Sequence, residues 1–340
     1  MKRLVFRAVL VTLVVLACEG GALLLEKVFP ALPGPYRAKG PPFLAPISPG
    51  QPLRHLSKTS VANEGGYFGR YYPPARTPGA YRIVLLGDSM GFGFGVDGEK
   101  GFPMMIEDEL NRRAAAAAAG GKNTPYQRYE ILNFSVPGYD TFLETERCRL
   151  SAERFSPDHV IVAYFPNDAI IDRFTPNAWR ICPVRWRKFD RAVGIAIEYS
   201  GFMRVVHDTW KRARTGYPGV VTGHPNLVNP DHFGFQCAMY WLGTLRARLE
   251  RNGVKLSVLQ IPYLAATDKA WDPERHVQEY LERWFTYHGY ATVNLYPIVR
   301  GRDPSTILLL PDEHPNELGH RLFAEYLSTR LDKLGIPLPE

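Results

Sequence analysis

Residues 81–96 read YRIVLLGDSMGFGFGV. Arg82–Leu86 is a short aliphatic run of the kind a buried strand requires, and Gly87 and Gly91 punctuate a turn around Asp88, Ser89 and Met90. A serine at the turn between a strand and a helix projects its hydroxyl over the carboxyl edge of a sheet. It also borrows positive potential from the helix terminus that follows. That is the placement of an acyl-enzyme nucleophile, and it makes Ser89 the candidate. On its own the tripeptide reads equally well as a serine N-cap, so the fold and the function depend on what the rest of the chain supplies.

Working outward, the same strand-then-helix grammar repeats. Further strands are predicted at Glu130–Phe134, His159–Tyr164, Lys255–Ile261 and Ala291–Leu295, with helical stretches at 102–114, 142–154, 236–252, 273–286 and 316–333. This alternation predicts an α/β fold: a three-layer α/β/α sandwich over residues 80–335, with a parallel, flavodoxin-like sheet of about five strands. Ala114–Ala119 with Gly120 and Gly121 is expected to be a fraying helix end and loop. Residues 170–235 break the rhythm and are expected to be an insertion that serves as a lid, binding surface or partner contact. Residues 29–79, rich in Pro, Gly, Tyr and Arg, are expected to be a tether and an irregular arm lying on the domain.

At the amino terminus, Lys2, Arg3 and Arg7 precede the run Ala8–Cys18, and a second apolar run follows at Ala22–Leu25. Leu4–Leu25 is long enough to cross a bilayer, which takes roughly 20 residues. Residues 1–28 are therefore expected to be a signal anchor forming an N-terminal membrane helix. A cleaved signal and a lipoprotein signal ending at Cys18 are the alternatives. All three place the positive flank in the cytoplasm and the catalytic domain on the periplasmic or extracellular side.

The partner for Ser89 lies near the carboxyl end. Asp312-Glu313-His314-Pro315-Asn316 precedes an amphipathic stretch, and an aspartate two residues before a histidine can orient the imidazole that takes a serine proton. Asp312 and His314 complete the predicted catalytic set. His320 is expected to be a packing or hydrogen-bonding residue, because its spacing from His314 matches no zinc site and no third ligand is near; no metal is expected. The second and third strands run into Ser135-Val136-Pro137-Gly138-Tyr139 and Phe165-Pro166-Asn167-Asp168. Gly138 and the Asn167 amide, with the Ser89 N–H, are the expected oxyanion donors, and Asp88, Tyr139 and Asp168 beside them are expected to contact substrate.

These four blocks resemble the SGNH hydrolases, also called GDSL esterases and lipases: GDS at 87–89, NFSVPGY at 133–139, FPND at 165–168 and DEHPN at 312–316. The resemblance covers about 80–333, and the stretch 81–96 is similar to the membrane-tethered bacterial branch. It implies a nucleophile at Ser89, oxyanion donors at Gly138 and Asn167, a catalytic His314 with its aspartate, and no cofactor. Two positions depart from the family pattern. Phe165 stands where the family often has glycine, and Pro311 stands where its aspartate is common, which leaves the acid to Asp312. GDSMG also satisfies the G-x-S-x-G of α/β-hydrolases. In that fold, however, the serine follows several strands and the acid and base come from separate loops. The glycines at 91, 93 and 95 fit neither GxGxxG nor a P-loop.

The 340 residues carry 41 Lys plus Arg against 34 Asp plus Glu, a net charge of +7, with 45% hydrophobic residues, which excludes wholesale disorder. From Arg173 to Arg214, eight Arg and two Lys face three acidic residues, so that one segment holds a surplus equal to the whole chain's. Aromatic residues are interleaved there, and a solvated lid helix over about 192–213 is one reading. Contact with anionic lipid headgroups or an acidic glycan is the sharper one. Export and the lack of a recognition motif argue against nucleic acid. Cys182 and Cys237 are positioned to pair in an oxidising compartment, and Cys148 is expected to be a buried thiol. The expected function is a serine esterase of the cell envelope. The alternatives are an O-acyltransferase or deacetylase acting on an envelope polysaccharide, and an inactive scaffold that uses the basic insertion.

Overall fold

The computed structural model describes residues 17–18, 20–21, 47–122, 124–169, 182, 233–264, 273–309 and 314–339. Strands β1 (Pro52–His55) and β2 (Lys58–Val61) form an antiparallel hairpin in the amino-terminal arm. The central sheet holds β3 (Ala80–Gly87), β4 (Arg128–Asn133), β5 (His159–Tyr164), β6 (Lys255–Gln260) and β7 (Ala291–Asn294). Every pairing in it is parallel, and the spatial order is β4-β3-β5-β6-β7. Relative to the sheet's own sequence this is the order 2-1-3-4-5, the flavodoxin-like arrangement. All eight residues of β3 are buried, as expected for a central parallel strand covered on both faces.

Successive side chains of β3 point to opposite faces, and each face has its own helices. Tyr81, Ile83 and Leu85 share a core with Phe102, Ile106 and Leu110 of α1 (Phe102–Ala119) and with Phe323 and Leu327 of α5 (Glu317–Ser328). α2 (Thr141–Arg147) packs against α3 (Phe233–Arg251), and α4 (Pro273–Tyr287) places Phe285 against Tyr164 of β5. Three layers result. The alanine run is a correction: Ala114–Ala119 is helical rather than frayed, with Ala114 and Ala117 turned into the interior. Alanine has the highest helix propensity, and burial of every third position fixes the last turn.

The arm departs from its expected irregularity in the hairpin. Leu56 takes a left-handed φ of 54°, which closes the two-residue turn without the glycine or asparagine that would have marked it in sequence. The segment that follows is fastened to the domain by polar groups. Glu107 of α1 accepts from Arg70 at 2.5 Å, from the Tyr72 hydroxyl at 2.8 Å and from the Ile131 N–H at 2.7 Å. Arg82, 1% exposed, pairs with the buried Glu130 at 2.8 Å and donates to the carbonyls of Pro74, Ala75 and Phe155.

The chain falls into two compact units, one of residues 43–171 and 223–340 and one of residues 1–42 and 172–222. The first holds the sandwich. The second falls almost wholly outside the described residues, and with it nearly all of the expected membrane segment 1–28 and basic stretch 173–214. Among the described residues no helix is long and apolar enough to cross a membrane. Cys182 and Cys237 are both disulfide-bonded; Cys18 and Cys148 are free, and Cys148 is buried.

Candidate active site

β3 is the first strand of the sheet and lies between the second and the third, so its carboxyl end is the point where chain direction across the sheet reverses. Open parallel sheets gather ligands at that point. There the chain breaks into a one-turn helix, Ser89–Phe92, whose N-cap is Asp88: its Oδ1 accepts from the Met90 N–H at 2.8 Å. The cap fixes the residue that follows, and Ser89 is left partly exposed at the edge.

His314 comes from the opposite end of the chain, and its Nε2 lies 2.7 Å from Ser89 Oγ. Its backbone is held on both sides. The Leu309 N–H donates to the His314 carbonyl at 2.9 Å, and the Asn316 N–H donates to the Ile307 carbonyl at 2.8 Å. Asn316 then caps α5 through Gly319 N–H at 3.0 Å and donates its amide to the carbonyls of Thr306 (2.9 Å) and Leu308 (3.3 Å). The imidazole also lies against Phe94, with ring centroids 4.5 Å apart. Asp312 and Glu313 fall outside the described residues.

Phe94 was not among the sequence candidates. It sits on the turn that leaves the one-turn helix, where its N–H donates to the Ser89 carbonyl at 3.1 Å. Gly95 follows with φ 86°, and a Cβ there would meet Leu309 Cδ1 at 2.2 Å, so the turn needs glycine. The Gly95 N–H donates to Nδ1 of His55 in the hairpin at 2.8 Å. The arm therefore supports the turn that carries a wall of the site. The only advance signal was the glycine-alternating FGFG.

The two remaining blocks arrive on the neighbouring strands. β4 continues alongside β3, with the Phe134 N–H on the Leu85 carbonyl and the Val136 N–H on the Gly87 carbonyl at 2.9 Å. Gly138 lies in the turn just beyond, at φ 83°, a conformation that favours glycine. Asn167 sits in the 3₁₀ turn Pro166–Ala169 after β5 and bonds through its side chain to Asp88. An amide has two N–H donors, so that bond leaves one to offer a ligand.

Asp88, Asp168 and Tyr139 are corrections to the sequence reading as substrate contacts. Asp88 and Asp168 are 0% exposed and Tyr139 is 5% exposed, so these side chains belong to the interior beneath the site. Burial pushes the Asp88 carboxyl up, opposed by the Met90 N–H, the neighbouring His314, and bonds from Asn167 and Ser89. His320 is fully buried beside Phe102, which pushes its pKa down to about 3; it packs within the core as expected. Among the described residues no group of His, Cys, Asp and Glu is arranged to hold a metal ion.

No protein-family model and no curated protein matches this chain. Solved structures do. TesA aligns over 74% of this chain and 99% of its own, with 13% identity and a TM-score of 0.44. A putative lipolytic protein of the G-D-S-L family from Desulfitobacterium hafniense aligns over 73% and 98%, with 12% identity and a TM-score of 0.42. An acetylxylan esterase from Geobacillus stearothermophilus, Axe2, aligns over 75% and 94%, with 12% identity and a TM-score of 0.43. At such identities the molecule's own geometry has to carry the reading. Its strand order and the Ser89–His314 contact give this chain a flavodoxin-like sandwich with a serine and a histidine paired at the carboxyl edge of the sheet.

Proposed function

We propose that this protein is a serine ester hydrolase that works through an acyl-Ser89 intermediate. The observation that carries the proposal is the 2.7 Å contact between Ser89 Oγ and His314 Nε2 at the carboxyl edge of the first sheet strand. His314 takes the hydroxyl proton as Ser89 Oγ bonds to the ester carbonyl carbon. The carbonyl electron pair moves to oxygen, where the N–H groups of Ser89 and Gly138 and the Asn167 amide receive it. When the tetrahedral adduct collapses, the C–O bond to the leaving alcohol breaks and His314 returns the proton to that oxygen. Water then repeats the sequence and releases the acid and free Ser89. Asp312, from its place in the chain, is assigned to orient His314.

Labelling by a fluorophosphonate probe, followed by turnover of a short acyl ester, tests the proposal. Ser89→Ala should lose both, and a variant that still turns over the ester would overturn it. The same residues serve transfer to a sugar hydroxyl in place of water, so products formed with and without a glycan acceptor distinguish hydrolysis from transfer. An acylated glycan is the substrate class we favour. The basic and aromatic segment 173–214 supports it through its charge, which suits an acidic polymer or anionic lipid headgroups.

We place the enzyme at the membrane with its catalytic domain outside the cytoplasm. Lys2, Arg3 and Arg7 ahead of the Ala8–Cys18 run support that orientation, and the disulfide-bonded state of Cys182 and Cys237 supports an oxidising compartment. Protease accessibility in intact spheroplasts tests the placement: cleavage only after lysis would refute it.

A further inference from the structure

Four carboxyl groups are buried together under the serine: Asp88, Asp140, Glu144 and Asp168, each no more than 1% exposed. They come from three turns. Asp88 caps the one-turn helix, and Asp140 caps α2 through the Leu143 N–H at 3.0 Å. Glu144 stands in the first turn of α2. Asp168 follows β5, and its Oδ2 accepts from the Phe165 N–H at 2.9 Å. They feel one another's charge: Asp88 and Asp140 act on Glu144, and Glu144, Asp88 and Asp140 act on Asp168.

Their hydrogen bonding is unequal. Asp88 is met by the Met90 N–H, the Ser89 hydroxyl and the Asn167 side chain, and it lies near His314. Neither oxygen of Glu144 has a hydrogen-bond partner, nor has Asp168 Oδ1, although all three are buried. Among the described residues, the elements around Glu144 and Asp168 bring no compensating cation. β5 contributes Tyr164, whose hydroxyl is also unpartnered, and the loop after β6 contributes Tyr263. Residues 233–244 of α3, which packs on α2, include no charged side chain. On α2 itself, Arg147 is turned away to the Gly66 carbonyl at 2.5 Å, to Ser151 at 3.2 Å and onto the Phe134 ring. Beyond Arg147 lies Tyr139 on the preceding turn, which feels its charge.

A desolvated carboxylate with no donor takes a proton, and neighbouring buried acids titrate as a coupled set. We propose that Glu144 and Asp168 are positioning residues held in the protonated form, so that Asp88 is the charged carboxyl behind the nucleophile, and that their ionisation sets an alkaline limit on catalysis. Burial first, and the neighbouring acids second, push both groups well above the ordinary carboxylate range, which agrees with this assignment. A charged Asp88 orients the Asn167 amide and faces the imidazolium that His314 becomes as it takes the serine proton. When Glu144 or Asp168 releases its proton to solvent, a second negative charge appears beside Asp88. The bond to Asn167 is then disturbed, and with it the oxyanion donor.

The inference rests on the esterase reading, and its tests separate the two. In the full chain, Glu144→Gln and Asp168→Asn should move the alkaline limb of the kcat profile up by about one pH unit or more. Asp88→Asn should lower kcat about ten- to a hundredfold with KM little changed. An alkaline limb that stays in place in both Glu144→Gln and Asp168→Asn overturns the proposal. Should those variants fail to fold, infrared difference spectra of the unaltered protein between about pH 6 and about pH 10 report directly on the acids. Loss of a protonated-carboxyl C=O band on raising the pH is expected, and no such band at neutral pH refutes the proposal. Failure of Ser89 to react with the fluorophosphonate probe would sink the esterase reading while leaving the infrared result standing.

Discussion

Asn316 touches neither Ser89 nor the imidazole ring, yet the geometry makes it the residue on which the position of His314 depends. Its side chain makes three bonds at once: it accepts from Gly319 N–H at 3.0 Å and donates to Thr306 and Leu308 carbonyls at 2.9 and 3.3 Å. Replacing it with alanine removes an N-cap worth about 1 kcal/mol. It also removes two side-chain bonds worth roughly 0.5–1.5 kcal/mol each, the longer one at the low end. The expected loss is about 2–3 kcal/mol, or roughly 5–10 °C in Tm for a domain of this size. The activity loss should be larger than the stability loss suggests. With the 306–309 and 314–316 segments no longer clamped, the 2.7 Å contact from His314 to Ser89 loosens, and a displacement of about 1 Å can cost about a hundredfold in kcat. Asn316→Ser, which keeps an oxygen for the cap but no amide for the two carbonyls, should recover most of the stability and little of the activity. Steady-state kinetics on a short acyl ester and urea unfolding measure both. An Asn316→Ala protein with kcat/KM within about twofold of the original would refute this account of how the histidine is held.

Removing the side-chain oxyanion donor in Asn167→Ala should lower kcat about 10²–10³-fold while the protein stays folded, as kinetics with circular dichroism would show. Arg82→Met takes from Glu130 its 2.8 Å ion-pair partner, leaving it the Thr77 hydroxyl and a 4.0 Å contact with Arg128, and should cost about 3 kcal/mol in urea unfolding, because the pair is 1% and 0% exposed. His159 and His320 are buried neutral, with pKa values pushed down to about 4 and about 3, chiefly by burial. A folded pKa below the unfolded one gives stability that is present above about pH 6.5 and is lost as pH falls toward those values. The urea midpoint of His159→Gln should therefore fall less than that of the unaltered protein on acidification across that window.

The catalytic blocks were legible because each lies where a run of strand residues stops, and a parallel sheet brings all such stops to one edge. GDS, NFSVPGY and FPND fall at the ends of β3, β4 and β5, and register then places them side by side. The hairpin was not legible. Its strands are four residues each and its turn is built on Leu56, so neither periodicity nor turn chemistry announced it. Without the hairpin, the support of His55 for the Phe94 turn was invisible too. The misassignment of Asp88, Asp168 and Tyr139 has a different cause. A polar residue beside a catalytic motif reads as a ligand contact, because hydropathy assigns carboxylates to the surface, and only the fold reveals that these are interior. Glu144 illustrates the point: in Thr141–Arg147, TFLETER, it looks like a solvent-facing position of an amphipathic turn, yet it is 1% exposed.

The same device recurs at three of the turns that build the site, an Asx side chain capping the start of a helix: Asp88 on Met90, Asp140 on Leu143 and Asn316 on Gly319. In a parallel sheet every crossover helix begins near the carboxyl edge, so the positive helix starts collect where the oxyanion forms. Caps there are favourable, but aspartate caps also bring negative charge to the floor of the site. Asn316 caps without charge; Asp88 and Asp140 do not, and Asp140 adds to the field that pushes up both Glu144 and Asp168. Asp140→Asn keeps an oxygen for Leu143 and removes one charge from the set. Glu144 and Asp168 have folded pKa values above their unfolded ones, so their contribution to stability is fully present below the ordinary carboxylate range. It is lost as pH rises through the folded values. Asp140→Asn lowers those values, so its stability should fall less steeply than the original's as pH rises above the ordinary carboxylate range. An unchanged slope would mean that the cap charge does not reach the acids beneath the serine.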